Sequence, residues 1–203
     1  EQTRNGNYVQ MQRLARAVGV TPGSATSMVK HLSQAGIVNY QPRVGCTLTE
    51  EGRSIALSIL RKHRLIELFL VQTLHLDWSV VHEEAEVLEH AFSDRLIERI
   101  DDLLNHPTVD PHGDPIPGDT GQIADQSART MHQCRTGETL RVTRVLDQGE
   151  AFLTFAKKHG LVPGTHIHVT ERSDVADTIT YQVSGSTFTI GRAPALLVLV
   201  EPA

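Results

Sequence analysis

Six side chains able to hold a metal ion recur at helical spacing near the middle of the chain. His63 and Glu67 stand four residues apart; His82, Glu86, Glu89 and His90 follow at offsets of four, seven and eight. These offsets place the members of each set on one helical face. Imidazole and carboxylate without a thiolate suit borderline-to-hard divalent ions: Mn(II), Fe(II), Co(II) or Zn(II). The second set borders an apolar stripe, Val81, Ala85, Leu88 and Phe92. Its groups are therefore partly desolvated, a cost that a cation would offset. Any one of them alone reads more simply as solvated surface charge. Six on two consecutive helices do not. Glu83 and Glu84 lie off the stripe, and His75 and His106 have no partner at ligand spacing.

Two helices must carry these sets. One is expected over residues 50–75, with Ile55, Ile59, Ile66 and Leu70 along one stripe, and one over 79–104. Upstream, Met11, Leu14, Ala15 and Val18 mark a short helix that Gly19 ends. Thr21 then offers an N-cap and Pro22 a first helical position. Ala25, Met28, Val29 and Leu32 form the apolar line of a second helix, which ends at Gly36. Two short helices around a Gly-containing turn are a helix-turn-helix signature. A hairpin follows: Ile37–Tyr40, a turn with Pro42 and Gly45, and Cys46–Thr49. It reads as a wing with Arg43 at its tip. Thr21, Ser24, Thr26, Ser27 and Lys30 are the candidate groove and phosphate contacts, with Arg43 on the DNA backbone. A generic three-helix packing module is the plainer alternative.

The net charge of −5 over 203 residues hides this division. Residues 1–62 carry +5, residues 63–105 carry −7 and residues 106–203 carry −3. A basic block beside an acidic one points to separate partners, double-stranded DNA and cations. Two cysteines, Cys46 and Cys134, cannot build a disulfide framework and read as structural thiols. No apolar run approaches a membrane span and the first residues carry no signal peptide, so a cytoplasmic protein is expected.

With VGVTPGSATSMVKHLSQAGIV in the reading module, HRLIE at 63–67, VHEEAEVLEH at 81–90 and DPHGDPIPG at 110–118, nearly the whole chain resembles the diphtheria-toxin-repressor family of metal-dependent transcriptional repressors. The family has an iron-sensing and a manganese-sensing branch. The resemblance implies a homodimeric, metal-activated repressor of metal-ion homeostasis genes that binds operator DNA and is not an enzyme. It places His63, Glu67, His82, Glu86, Glu89 and His90 on metal positions, with Glu150 as a looser addition. At position 86 the iron branch typically carries Cys and the manganese branch Glu. Glu86 therefore favours Mn(II) over Fe(II), with other divalent transition metals substituting in vitro. Part of the family's first helix, with its ligands, is expected to be missing before the reading module.

Residues 105–120 are dense in Pro, Gly and Asp and read as a crossing segment. His112 within it can ligate a metal, although a turn histidine is more often structural. Residues 121–136 read as a short helix or more linker. Beyond 138, short alternating strands and a helix near 150–159 suggest a small barrel, which resembles the SH3-like domain of the same family. The expected fold is a mainly α N-terminal half, a winged helix-turn-helix plus a helical metal-binding and dimerisation domain, followed by a small all-β SH3-like barrel. The expected boundaries are 1–52, 53–118, a linker over 119–136, and 137–203. A metallohydrolase with two metals and a metal-independent winged-helix regulator remain as alternatives.

Overall fold

The computed structural model describes residues 8–118 and 128–203. The chain divides into two compact units, Glu1–Ile59 and Leu60–Ala203.

The first unit holds α1 (Met11–Ala17), α2 (Pro22–Gln34), β1 (Val38–Gln41), β2 (Gly45–Leu48) and the opening turns of α3 (Glu50–Gln72). Gly19 ends the first helix in the left-handed region at φ +67°, where a glycine carries no Cβ penalty. Thr21 caps α2 by accepting from the Ser24 N–H at 3.1 Å. β1 and β2 pair antiparallel from Val38↔Leu48 to Gln41↔Gly45, with Arg43 at the exposed tip. Val9 adds a third short rung by exchanging both backbone bonds with Cys46. The core is small: Ala15, Ala25, Val29, Val38 and Cys46. The apolar line expected on α2 is only half buried, because Met28 and Leu32 are 57% and 42% exposed. Likewise Ile55 and Ile59 are exposed on α3.

The second unit joins a helical layer to a β-domain. In the helical layer, the rest of α3 buries Leu65, Ile66, Leu68 and Leu70 against α4 (Val81–Ala91) and α5 (Asp94–Leu103). The single helix expected over 79–104 is therefore two. Phe92 is extended, and the Ser93 side chain accepts from the Leu96 N–H to start α5. A serine that bonds its own downstream backbone favours a cap over a helix interior. α3 also stops short of residue 75, and His75 adopts φ +57°.

The β-domain is a six-stranded antiparallel sheet in the order β3-β8-β4-β5-β6-β7. Its strands are β3 (Arg129–Thr130), β4 (Thr139–Val145), β5 (His166–Ser173), β6 (Thr178–Val183), β7 (Ser186–Gly191) and β8 (Val198–Pro202). A 3-10 turn at Met131–Gln133, α6 (Glu150–Lys158) and α7 (Arg192–Ala195) complete it. Part of the segment expected to be linker thus belongs to this sheet, since Arg129 and Thr130 pair with Val200 and Leu199. Residues 119–127 of that expectation lie outside the described residues. Alternate strand positions such as Leu140, Val142, Val169 and Tyr181 face Leu153 and Ala156 of α6 in one apolar core. Trp78, from the turn before α4, enters the same core at 7% exposure. It ties the helical layer to the sheet. Cys134 is buried too, and burial pushes its thiol up to about 11.

Gly52 tests the packing of the first unit. Alanine normally stabilises a helix interior over glycine by about 1 kcal/mol. Here a Cβ would sit 2.0 Å from the Ile37 carbonyl oxygen. Gly52→Ala should therefore lower unfolding free energy by about 1–3 kcal/mol, measured by urea titration.

Candidate metal centre

His63 and Glu67 lie one turn apart on α3, and His82 lies in the first turn of α4. Their donor atoms form a near-equilateral triangle. His63 Nε2 is 3.0 Å from Glu67 Oε1 and 3.1 Å from His82 Nδ1, which is itself 3.0 Å from Glu67 Oε1. Donors on one face of an octahedron with bonds of about 2.1 Å stand about 3.0 Å apart. Tetrahedral donors at a similar bond length stand about 3.4 Å apart. The triangle fits three donors of a six-coordinate ion.

Glu89 approaches from α4 on the other side of the imidazole, with Oε2 2.9 Å from His63 Nδ1. An Nδ1–H donated there leaves the Nε2 lone pair facing the triangle, as carboxylate-oriented histidine ligands do. Burial disfavours the His63 cation, but hydrogen bonds and charge from Glu67 and Glu89 outweigh it and raise its pKa. Burial likewise opposes the Glu67 carboxylate, yet His63, His82 and His112 hold its pKa below the usual range.

The other Glu67 oxygen faces a second donor set. Glu67, Asp110 and His112 are all buried, with exposures of 1%, 3% and 0%, and donors within 4.8 Å of one another. His112 Nε2 donates to the Trp78 carbonyl at 2.9 Å, so the lone pair resides on Nδ1, 3.9 Å from Glu67 Oε2. Among the described residues that Nδ1 has no hydrogen-bond partner, nor has Asp110 Oδ2. Asp110 Oδ1 accepts from the backbone N–H groups of His112 and Asp114. Arg64 Nε stands 3.7 Å from Asp110 Oδ2, at ion-pair distance but beyond a hydrogen bond. Burial, then the charges of Asp114 and Glu67, push the Asp110 carboxyl up to about 7. Orphaned donors around a shared carboxylate fit a divalent cation, which would satisfy both.

The structure brings together His63, Glu67, His82 and Glu89 of the six expected residues. Glu86 and His90 lie exposed on α4, and His90 Nε2 is 3.6 Å from Glu89 Oε1. Glu150 lies exposed in the first turn of α6. Two β-domain side chains reach this region: Arg144 pairs with Asp114 Oδ1, and Gln148 Nε2 donates to Asp114 Oδ2 at 2.6 Å. Asp110, and the framing Arg64 and Trp78, were not among the expected site residues. The D-P-H-G-D spacing, with acid, imidazole and acid on alternate residues around a glycine, is the signal that could have found them.

In the first unit, Thr21, Ser24, Ser27 and Lys30 are exposed along α2. Thr21 and Ser24 hydroxyls bond to each other at 2.9 Å. Thr26 is half-buried and donates to the Pro22 carbonyl at 2.7 Å, which leaves its methyl group for contacts outside the helix. Arg43 is exposed with φ +67°.

Glu67→Gln keeps the shape but removes the charge that both donor sets share. It should weaken Mn(II) binding at least about 100-fold, measured by isothermal titration, with the far-UV circular dichroism unchanged. The raised His63 pKa and the Asp110 carboxyl pushed up to about 7 both favour protonated forms, with which a bound cation must compete. The wild-type binding enthalpy should therefore vary with buffer ionisation enthalpy, and affinity should fall as pH drops from 7.5 to 6.

Three family models cover the chain: the iron dependent repressor N-terminal DNA binding domain over residues 2–46, its metal binding and dimerisation domain over 49–118, and the FeoA domain over 129–202. An iron-dependent repressor of Mycobacterium leprae is 30% identical over 169 residues, 77% of this chain and 74% of that protein. An uncharacterised HTH-type transcriptional regulator of Methanocaldococcus jannaschii is 44% identical over 96 residues, 47% of this chain and 77% of that protein. A solved manganese-dependent transcriptional repressor in complex with manganese superposes with a TM-score of 0.84 at 38% identity, covering 100% of this chain and 94% of that one. With the donor triangle on its α3–α4 pair and a winged reading module ahead of it, the chain belongs to the diphtheria-toxin/iron-dependent repressor family of metal-dependent transcriptional repressors.

Proposed function

We propose that this repressor is activated by Mn(II) in preference to Fe(II), held at two positions that share Glu67. Oε1 serves the first with His63 and His82; Oε2 serves the second with Asp110 and His112. The donor triangle carries the reading: its edges of 3.0–3.1 Å suit a six-coordinate ion, and its donors are imidazole and carboxylate without sulfur. Glu89 orients His63. Glu86 and His90, exposed on the next turns of α4, are assigned to a further position whose remaining ligands lie elsewhere. Glu150 is kept as an outlying candidate.

A bound divalent ion supplies positive charge to the acidic segment that the apo chain balances with protons. His63, Glu67 and His82 then hold α3 and α4 in one arrangement, and that arrangement favours the DNA-competent state of the homodimer. Thr21, Ser24, Thr26, Ser27 and Lys30 meet the major groove and its phosphates, and Arg43 meets the backbone. The domain limits proposed are a reading module to residue 52, a metal and dimerisation domain to 118, and a β-domain beyond the connecting segment.

A regulator is favoured over a metallohydrolase because a winged reading module precedes the donor sets, and the second set is buried, Glu67, Asp110 and His112 being 1%, 3% and 0% exposed. Among the described residues no helix is long and apolar enough to cross a membrane, and a chromosome-reading regulator is assigned to the cytoplasm.

The deciding experiment is operator binding titrated with Mn(II), Fe(II) and chelator. Affinity should rise at least about 10-fold with Mn(II), a coupling in the usual range, and Glu67→Gln should abolish the rise. Equal affinity with chelator and metal would overturn the reading. Lys30→Ala should weaken binding across sequences and reduce the salt slope by about one counterion.

A further inference from the structure

A cavity of about 910 Å³ lies within the second unit, between the end of α3, the turn after it and the β-domain. Leu68, Val71 and Leu76 line it from the helical layer, and Val162 and Pro163 from the loop that follows α6. The buried Trp78 also belongs to its lining. Of the metal donors described above, Asp110 lines it, whereas His63, Glu67, His82 and His112 do not. An apolar wall of this extent with a few converging polar groups suits a small organic molecule.

The polar groups of the wall are rich in donors. Arg141 of β4 faces Glu201 of β8 in register. Its Nε, at 3.1 Å, and its Nη2 both donate to the same oxygen, Glu201 Oε1. Nη1 is left without a partner among the described residues. Lys157, in the last turn of α6, spends one of its three protons on Asp77 Oδ2. Asp77 has little acceptor capacity to spare, because Oδ1 already takes the Ser79 N–H at 3.0 Å and the Ser79 hydroxyl at 2.7 Å. Among the described residues the Trp78 Nε1–H has no partner either. Against these donors stand two carboxylate oxygens, Glu201 Oε2 and Asp110 Oδ2.

The formal charges of the two ion pairs cancel, and both pairs are partly exposed. Exposed pairs are weak, so a ligand can share their cations at small cost. Spare donors beside an apolar wall call for an acceptor on an apolar body. We propose that this cavity binds an amphipathic organic carboxylate, with its carboxylate on Arg141 and its apolar body against Leu68, Val71 and Val162. A guanidinium offers a carboxylate two parallel N–H groups, which Lys157, a point charge, does not. Such a site gives the chain a second kind of small-molecule ligand beside the divalent cation, held through side chains outside both donor sets. Carboxylate binding is independent of which cation activates the repressor.

The test uses the full chain in chelator, with octanoate as the probe. Octylammonium, the same apolar chain with the opposite charge, is the control. Saturation-transfer NMR titrations give both affinities. Octanoate should bind with a Kd of about 1 mM, at least tenfold more tightly than octylammonium. Arg141→Ala should weaken octanoate at least tenfold without weakening octylammonium, and Arg141→Lys should recover part of the loss. Gln72 lines the cavity from the exposed end of α3. Gln72→Trp should fill the space and abolish octanoate binding, while far-UV circular dichroism and Mn(II) binding stay those of the wild type. Absence of saturable octanoate binding, equal affinities for the two probes, or an unchanged octanoate affinity in Arg141→Ala would overturn the proposal. Mn(II)-stimulated operator binding by the same preparations reports separately on the metal-dependent reading.

Discussion

One carboxylate, Glu67, conditions the rest of the second unit. It is 1% exposed and lies on α3 between Ile66 and Leu68, which form the core of the helical layer. A charge in such a place is expensive unless paired. The imidazoles of His63 and His82 lie against one oxygen, and His112 faces the other. Hydrogen bonds and charge from Glu67 and Glu89 raise the His63 pKa, and burial beside Asp114 and Glu67 raises that of Asp110.

This constraint explains why α3 changes character along its length. Its opening turns expose Ile55 and Ile59, whereas from Leu65 onward the apolar residues are enclosed. It also explains why a Pro- and Gly-rich segment, normally a surface feature, is buried at Asp110, His112 and Asp114. Such a loop must satisfy its own backbone. Asp110 does so internally by accepting two N–H groups, and Val145 and Arg64 supply bonds to the His112 and Pro115 carbonyls.

Much of this was legible in sequence where local periodicity carries the information. The 3.6-residue spacing of His63 and Glu67 located one arm of the centre, and alternation after residue 138 located the strands β4–β8. Three features were not legible, each for a tertiary reason. Met28 and Leu32 share the helical period of Ala25 and Val29 but fall outside a core too narrow to enclose them. The break at Ser93 depends on a side chain choosing a cap over an apolar pattern that continues past it. His112 stands in a turn that alone gives no reason for burial. Its role emerges only where Trp78 and β4 close over it.

Trp78 is the only tryptophan in the chain, and its indole lies over His112 with its edge in the β-domain core. Its emission therefore has a single source at the seam between the helical layer and the sheet. The molecule carries a built-in optical probe of that seam, free of any attached dye and sensitive to the ring it stacks upon.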